Sequence, residues 1–169
     1  MSRLALELKQ LMLGAPPLTL AVAESLTAGH VQARVAAVSG ASDFFLGGIT
    51  AYSLAQKVRH LGVDRRAAKK VNCVSAEVAE QMARGGCALF GAQVGVATTG
   101  YAEPSPPHGI AAPMAWWAIA WRAPRGKFLL RHGRVECFGA KRADVQAIVA
   151  ETALTELVAW LREVRRGKC

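Results

Sequence analysis

The sequence lacks the closely spaced cysteines and histidines that structural metal sites use. None of its four histidines stands four residues from another, and its four cysteines form no Cys-x-x-Cys pair. A zinc site is therefore not expected, and reduced thiols in a cytoplasm are the simpler interpretation. The cysteines are Cys73, Cys87, Cys137 and Cys169. We predict that the protein holds no metal and no cofactor.

Long uncharged apolar runs are also absent, so no segment reaches the length that a membrane-spanning helix needs. Glu7 and Lys9 interrupt the leucine-rich start of the chain, which argues against a signal peptide. With 169 residues, of which 52% are hydrophobic, the chain is long enough for one sizeable core. We therefore expect a single domain over residues 1–169, without membrane contact and located in the cytoplasm.

Acidic and aromatic residues are few. There are 12 Asp and Glu against 21 Lys and Arg, which gives a net charge of +9, and aromatic residues make up 7%. The cations are scattered over residues 57–70, 122–134 and 162–168, and the aromatics do not alternate with them. A platform that stacks bases is thus not visible, and nucleic acid is not the expected partner. A basic surface that attracts phosphate-bearing small molecules is the favoured interpretation.

Helical and strand patterns alternate along the chain. Apolar runs predict strands over residues 18–23, 46–52 and 93–99, and a hairpin over 114–121 and 127–137 that turns at 123–126. Apolar periodicity and capping residues predict helices over 2–13, 27–38, 54–61, 75–90 and 143–165. The alternation favours parallel pairing, and the hairpin adds an antiparallel strand. The predicted fold is a three-layer α/β/α sandwich with a mixed, mostly parallel sheet.

Ser25 stands at the corner between the first predicted strand and the next helix. Its hydroxyl would point out of the sheet beside the free N–H groups and positive dipole of the helix start. Acyl transfer needs such a nucleophile next to donors for an oxyanion, here the main-chain amides of Thr27 to Gly29. The alternative is structural, because Glu24 and Ser25 would equally well cap the helix.

Tyr52 and Lys57 lie at the end of the second strand and one helical turn further on. A serine without a histidine nearby can be activated by a lysine or tyrosine whose proton affinity is lowered by burial or by neighbouring cations. The alternative is that Lys57 is a solvated helix residue beside Arg59.

Five segments, taken in order, resemble the CinA C-terminal domain family, and the resemblance runs from about residue 4 to about residue 161. They are Ala23-Glu-Ser-Leu-Thr-Ala-Gly29, Phe45-Leu-Gly-Gly-Ile-Thr-Ala-Tyr-Ser53 with Lys57, Leu61-Gly-Val63, Val74-Ser-Ala-Glu-Val-Ala-Glu-Gln-Met-Ala83 and Thr98-Thr-Gly-Tyr-Ala-Glu-Pro104.

The resemblance implies an activity, because family members include nicotinamide mononucleotide deamidases, which hydrolyse a carboxamide to a carboxylate and ammonia. It implies Ser25 as the nucleophile, Lys57 as its base and Tyr52 in the proton relay. It also implies a small pyridine nucleotide as the ligand and a homo-oligomer as a possible assembly. The substrate-binding residues would be Thr27, Gly29, Thr99, Gly100 and Arg142.

The chain also departs from the family pattern at several positions. Family members usually carry a second glycine where this chain has Ala28, Asn-Glu where it has Leu54-Ala55, and glycine where it has Glu103. The family's Lys-Pro-Val-Gly-Thr segment is replaced around Ala115. Glycine permits positive φ and close approach to a ligand, so these changes bear on substrate fit. The second hypothesis is therefore an impaired paralogue that binds a nucleotide or another protein without turnover.

Three tryptophans lie close together and have two interpretations. On a strand, Trp117 and Trp121 would share one face and Trp116 would take the other. Helices on both faces of the sheet make core packing the expected role, and the alternative is that an exposed tryptophan marks a subunit interface.

Overall fold

The computed structural model describes residues 3–123 and 126–167. Three sequence predictions fall partly outside those residues: the helix start at Ser2, the hairpin turn at Pro124 and Arg125, and the reduced state of Cys169. Among the described residues, no helix combines the length and the apolar character that crossing a bilayer requires.

Five strands form one sheet in the order β2-β1-β3-β4-β5. The parallel pairs are β1 with β2 and β1 with β3, and the antiparallel pairs are β3 with β4 and β4 with β5. Four strands therefore point the same way while only β4 is reversed, which confirms the predicted mixed sheet. The strands are β1 Leu20–Glu24, β2 Phe45–Thr50, β3 Val94–Tyr101, β4 Met114–Arg122 and β5 Phe128–Glu136.

Helices cover both faces of the sheet. Helices α1, α2 and α6 pack on one face, and α3, α4 and α5 pack on the other. The three-layer arrangement is thus the one that the alternating pattern predicts. The helices are α1 Arg3–Leu13, α2 His30–Ala36, α3 Leu54–Leu61, α4 Arg65–Lys70, α5 Ala76–Phe90 and α6 Arg142–Arg165.

The tryptophans pack as strand alternation predicts. Trp117 is buried in the core between β4 and α6, and Trp121 meets the edge of Trp160 on the same face. Trp116 is half-buried on the opposite face, beside the ring of His132. Core packing is therefore the role of Trp117, whereas Trp116 keeps part of its ring accessible.

Helix α2 begins at His30, three residues later than the predicted start at Thr27. The intervening residues form a turn, with Ala28 at φ 49° and Gly29 at φ 101°. These left-handed conformations cannot continue a right-handed helix, and they turn the chain away from β1.

The strand order places a crevice between β1 and β3. The chain passes from β1 to β2 on one side and then returns to place β3 on the other side of β1. In open α/β sheets, ligands bind outside the carboxyl ends of strands at such a reversal. The crevice lies where Ser25 follows β1 and where Thr99 and Gly100 end β3.

Candidate active site at the carboxyl ends of the strands

Ser25 lies directly after the last residue of β1, and its side chain makes contact with a lysine. Lys57 Nζ donates a hydrogen bond to Ser25 Oγ over 2.8 Å. Ser25 is 7% exposed and Lys57 is 1% exposed, so solvent hardly competes for this contact. The structure thus places the predicted nucleophile and the predicted base in direct contact.

Helix α3 positions Lys57 from the opposite side of the crevice. Ser53 caps the helix by accepting a hydrogen bond from the Gln56 N–H, and Gly62 ends it in a left-handed conformation. This short helix is separated by three residues from β2, the neighbour of β1, and its fourth residue, Lys57, reaches Ser25 at the carboxyl end of β1. The interpretation of Lys57 as a solvated surface residue is therefore wrong.

The Lys57 amine is surrounded by oxygen atoms. Besides Ser25 Oγ, Nζ donates to the main-chain carbonyls of Ala51 and Tyr52, each over 2.8 Å. Burial lowers the pKa of Lys57 from 10.5 to about 8, against a smaller raising effect of Cys73. A neutral amine can still donate to both carbonyls while its lone pair faces the Ser25 hydroxyl. This arrangement allows Lys57 to accept the serine proton.

The capping interpretation of the corner is correct for Glu24 and wrong for Ser25. The Glu24 carboxylate accepts hydrogen bonds from the N–H groups of Gly29, Val31 and Gln32. It thereby satisfies amides at the start of α2 that have no partner within the helix. Glu24 is fully buried, and its neighbour Ser25 is left to bond with Lys57.

The predicted oxyanion donors are mostly engaged elsewhere. The Ala28 N–H donates to the Ser25 carbonyl over 3.1 Å, and the Gly29 N–H donates to Glu24 over 2.9 Å. Thr27 turns its hydroxyl to Thr98, 2.7 Å away and fully buried. The side chains of the bend therefore support the serine from behind and do not face its cavity.

The partner of the Tyr52 hydroxyl differs from the one expected if this hydroxyl relays the serine proton. Its main-chain carbonyl contacts Lys57, whereas its hydroxyl accepts a hydrogen bond from Arg142 over 2.8 Å. Arg142 also bonds to Glu103 over 2.8 Å. The bond to Glu103 raises the pKa of Arg142 most, and the bond to Tyr52 raises it further. We call the Tyr52, Arg142 and Glu103 side chains the rim; the direct contact of Ser25 with Lys57 leaves no gap for a relay.

A cavity of about 320 Å³ opens over Ser25 and Lys57, and we call it the serine cavity. Its size is at the lower end of the range for small-molecule sites. Of the predicted residues, Ser25, Tyr52, Lys57, Thr99 and Gly100 line it, whereas Thr27, Gly29 and Arg142 do not. The predicted role of Arg142 in substrate binding therefore has no support from the cavity walls and stays a prediction.

The sequence analysis missed Asn72 and Cys73, which also line the serine cavity. Both adopt left-handed backbone conformations, with φ 47° and φ 62°, in the loop between α4 and α5. The loop is fixed to β3 because Thr99 Oγ1 donates to the Cys73 carbonyl over 2.7 Å. Asparagine favours this conformation and is a turn signal, but cysteine rarely adopts it.

Metal chemistry has no ligand set at this site. Within residues 3–123 and 126–167, no group of three or more histidine, cysteine, aspartate or glutamate side chains is placed to hold a metal ion.

The fold and the site together define an α/β/α domain with a buried Ser–Lys pair at the reversal of its strand order. A model of the CinA C-terminal domain matches residues 3–161. The chain belongs to that family.

Relatives of known sequence agree with this assignment. A CinA-like protein from Chlorobium limicola is 38% identical over 155 residues, which is 90% of this chain and 36% of that protein. A CinA-like protein from Chlorobaculum tepidum is 36% identical over 150 residues, or 87% of this chain and 35% of that protein. The chain thus spans about a third of the length of the curated relatives it matches.

Solved structures show the same fold. The competence damage-inducible protein A (ComA) from Klebsiella pneumoniae aligns with a TM-score of 0.82 at 28% identity, covering 94% of this chain and 95% of that chain. A competence-damaged protein (CinA) superfamily member from Enterobacter cloacae aligns with a TM-score of 0.81 at 30% identity, covering 94% and 90%.

Proposed function

We propose that the domain is an amidohydrolase that converts the carboxamide of nicotinamide mononucleotide, or of a related pyridine nucleotide, to a carboxylate and ammonia. The observation that carries this proposal is the direct contact of 2.8 Å between Ser25 Oγ and Lys57 Nζ inside a buried site. The pyridine nucleotide substrate comes from the resemblance to family members with that activity.

The reaction begins with proton transfer. Neutral Lys57 accepts the Ser25 hydroxyl proton while Oγ attacks the carboxamide carbon and the carbonyl oxygen becomes an oxyanion. The protonated amine then returns its proton to the amide nitrogen, which leaves as ammonia when the C–N bond breaks. Since the base must be neutral, kcat/KM should rise with pH through an apparent pKa of about 8.

Water completes the cycle. It attacks the acyl carbon while Lys57 accepts its proton. The C–Oγ bond then breaks, Lys57 returns that proton to Oγ to restore the Ser25 hydroxyl, and the acid leaves as its carboxylate. The two carbonyls that bond to Lys57 Nζ hold the amine in one place throughout both steps. The whole cycle uses side chains of this chain and consumes one water molecule.

The test is ammonia release by wild type and by Ser25→Ala. We expect wild type to release ammonia from the mononucleotide and Ser25→Ala to lose about 10⁴-fold in kcat. Ser75→Ala is the matched control, because Ser75 caps α5 and its side chain does not line the serine cavity. It should lower the free energy of unfolding by about 1 kcal/mol and keep the activity. A wild type that leaves the mononucleotide and related pyridine amides intact would contradict the proposal.

One observation favours the second candidate, an impaired paralogue that binds a nucleotide without hydrolysing it. Arg142, the cation expected to bind substrate, is already paired with Glu103, a residue that stands where the family usually has glycine. Under this alternative, the mononucleotide should raise the melting temperature while no ammonia forms. Ammonia release at a rate that depends on Ser25 would contradict it.

A further inference from the structure

We propose that a second cavity beside the serine cavity is an anion-binding subsite. This basic cavity, defined by Lys69, Lys70 and Arg134, has a volume of about 580 Å³. The ligand proposed for the basic cavity is a phosphate monoester. As an extension that rests on the proposed function, the phosphate of the substrate lies here while its carboxamide reaches Ser25.

The basic cavity adjoins the serine cavity, because Lys69, Asn72, Val74 and Tyr101 line both. Asn72 Nδ2 donates a hydrogen bond to the Tyr101 hydroxyl over 3.0 Å, so the two shared side chains brace each other. The two cavities therefore share a wall, which is the arrangement that a ligand reaching into both requires.

The charge of the basic cavity is positive. Lys69 and Lys70 are exposed, and within the described part of the chain neither side-chain ammonium group forms a hydrogen bond or an ion pair. Arg134 is paired with Glu136, so an anion would compete with that carboxylate for the Arg134 guanidinium. No aspartate or glutamate belongs to the cavity walls among those residues. An anion entering here meets two free ammonium groups.

Aromatic rings form part of the remaining wall. Tyr101 and His108 pack with their centroids 5.6 Å apart, and Trp116 presents the accessible part of its indole. His108 Nδ1 is bonded to Ser105 Oγ over 2.8 Å, which fixes the imidazole. Flat apolar surface next to ammonium groups suits an organic phosphate better than a bare inorganic ion.

The rim offers the competing position for a phosphate. Arg142 bonds there to the Glu103 carboxylate, so an anion would have to displace that carboxylate and would meet its negative charge. The unpaired Lys69 and Lys70 impose no such exchange. The phosphate is therefore assigned to the basic cavity and not to Arg142.

A purely structural explanation exists for the two lysines. They end α4, where cations are favoured by the negative end of the helix dipole. Arg65 and Arg66 begin the same helix, carry the same charge and do not line the basic cavity. Comparing the two pairs therefore separates binding in the cavity from the overall charge of the helix.

The first experiment measures binding of inorganic phosphate by titration calorimetry at constant ionic strength. We expect Lys69→Gln with Lys70→Gln to weaken binding by about tenfold, since each exposed charge is partly screened. Arg65→Gln with Arg66→Gln should change it by no more than about twofold. Equal weakening by both double variants, or no saturable binding to wild type, would overturn the subsite.

The second experiment links the subsite to the substrate. In the Ser25→Ala background, the mononucleotide should bind more tightly than its nucleoside, which lacks only the phosphate. That preference should vanish with the lysine double variant and persist with Arg142→Gln. Its loss with Arg142→Gln alone would overturn the assignment. If phosphate binds at the lysines but neither pyridine ligand binds, the anion subsite stands and the proposed function fails.

Discussion

The floor of the serine cavity, which Ser25 and Lys57 form, and the rim contain hydrogen bonds of equal length in opposite environments. Lys57 meets Ser25 over 2.8 Å where the residues are 1% and 7% exposed. Arg142 meets Glu103 over the same 2.8 Å, but these side chains are 47% and 62% exposed. A buried amine that loses a partner has no water to replace it, whereas an exposed ion pair exchanges its partner for water at little cost. Two hydrogen bonds of equal length therefore constrain the protein unequally, and the buried one constrains it more.

The departures from the family pattern follow this division. The floor keeps Ser25 and Lys57, and the positions that differ include Glu103 at the rim and Ala28 at the exposed bend. Leu54, which lines the serine cavity, and Ala115, which is fully buried, are exceptions. The difference suggests that reaction chemistry depends on the buried pair and that ligand choice depends on the exposed residues around it.

The largest expected effect concerns the floor and the pH dependence of stability. Between pH 8 and 10.5 the folded protein has lost the Lys57 proton while the unfolded chain still binds it, so stability should rise with pH. The gain should reach about 3 kcal/mol across this range. Denaturant unfolding at several pH values should show it in wild type and not in Lys57→Met. Parallel pH profiles for the two proteins would mean that the amine is not held neutral by burial.

The second effect tests the support behind the floor. Glu24→Ala leaves three main-chain N–H groups without their carboxylate and should lower the free energy of unfolding by about 2 kcal/mol. Glu24→Gln keeps an acceptor oxygen and should cost less. Unfolding in urea measures both, and an equal cost for the two variants would show that the N–H groups require the charged carboxylate and that an uncharged side chain of the same shape does not replace it.

The bend between floor and α2 provides a smaller effect of opposite sign. Ala28 has φ 49°, a left-handed conformation that glycine adopts without the clash of a Cβ atom. Ala28→Gly should therefore stabilise the protein by up to about 1 kcal/mol, after allowing for the greater entropy of the unfolded chain. Ala37→Gly, just after α2, is the control and should destabilise. A loss of stability in Ala28→Gly would mean that the bend is not strained.

The smallest effect is expected at the rim. Glu103→Gly removes an exposed ion pair, so the free energy of unfolding should change by less than about 1 kcal/mol. If the phosphate binds at Lys69 and Lys70, affinity for the mononucleotide should hardly change. A large, salt-sensitive gain in affinity would instead place the phosphate at the rim.

Most of the fold could be predicted because its signals are local. Ser53, Asp64 and Ser75 each accept a hydrogen bond from an N–H three residues later, so these helix starts are visible in the chain itself. The start of α2 was placed too early because its cap, Glu24, reaches N–H groups five to eight residues ahead. That reach depends on the bend at Ala28 and Gly29, which the prediction lacked.

Residues whose type indicates their chemistry could be predicted from the sequence. Contacts of Arg142 with residues far away in the chain could not. Ser25 and Lys57 were predicted as a nucleophile and its base; the structure places them in contact although they are 32 residues apart, and their roles stay predictions. The Arg142 contacts join residues 39 and 90 positions apart, and no local pattern indicates them. The asparagine at position 72 was an available turn signal for the loop that carries Cys73 into the cavity.

Glu24 and Ser25 also bear on how the gene can change in length. Two consecutive residues serve opposite neighbours: the carboxylate holds α2, and the hydroxyl meets Lys57 on α3. A codon inserted or deleted within β1 would exchange the sides to which these residues point. The loop between β3 and β4, which carries Glu103, has no such alternation to preserve. Insertions and deletions in that loop should thus leave the Ser–Lys pair in place, whereas those at the end of β1 should be eliminated.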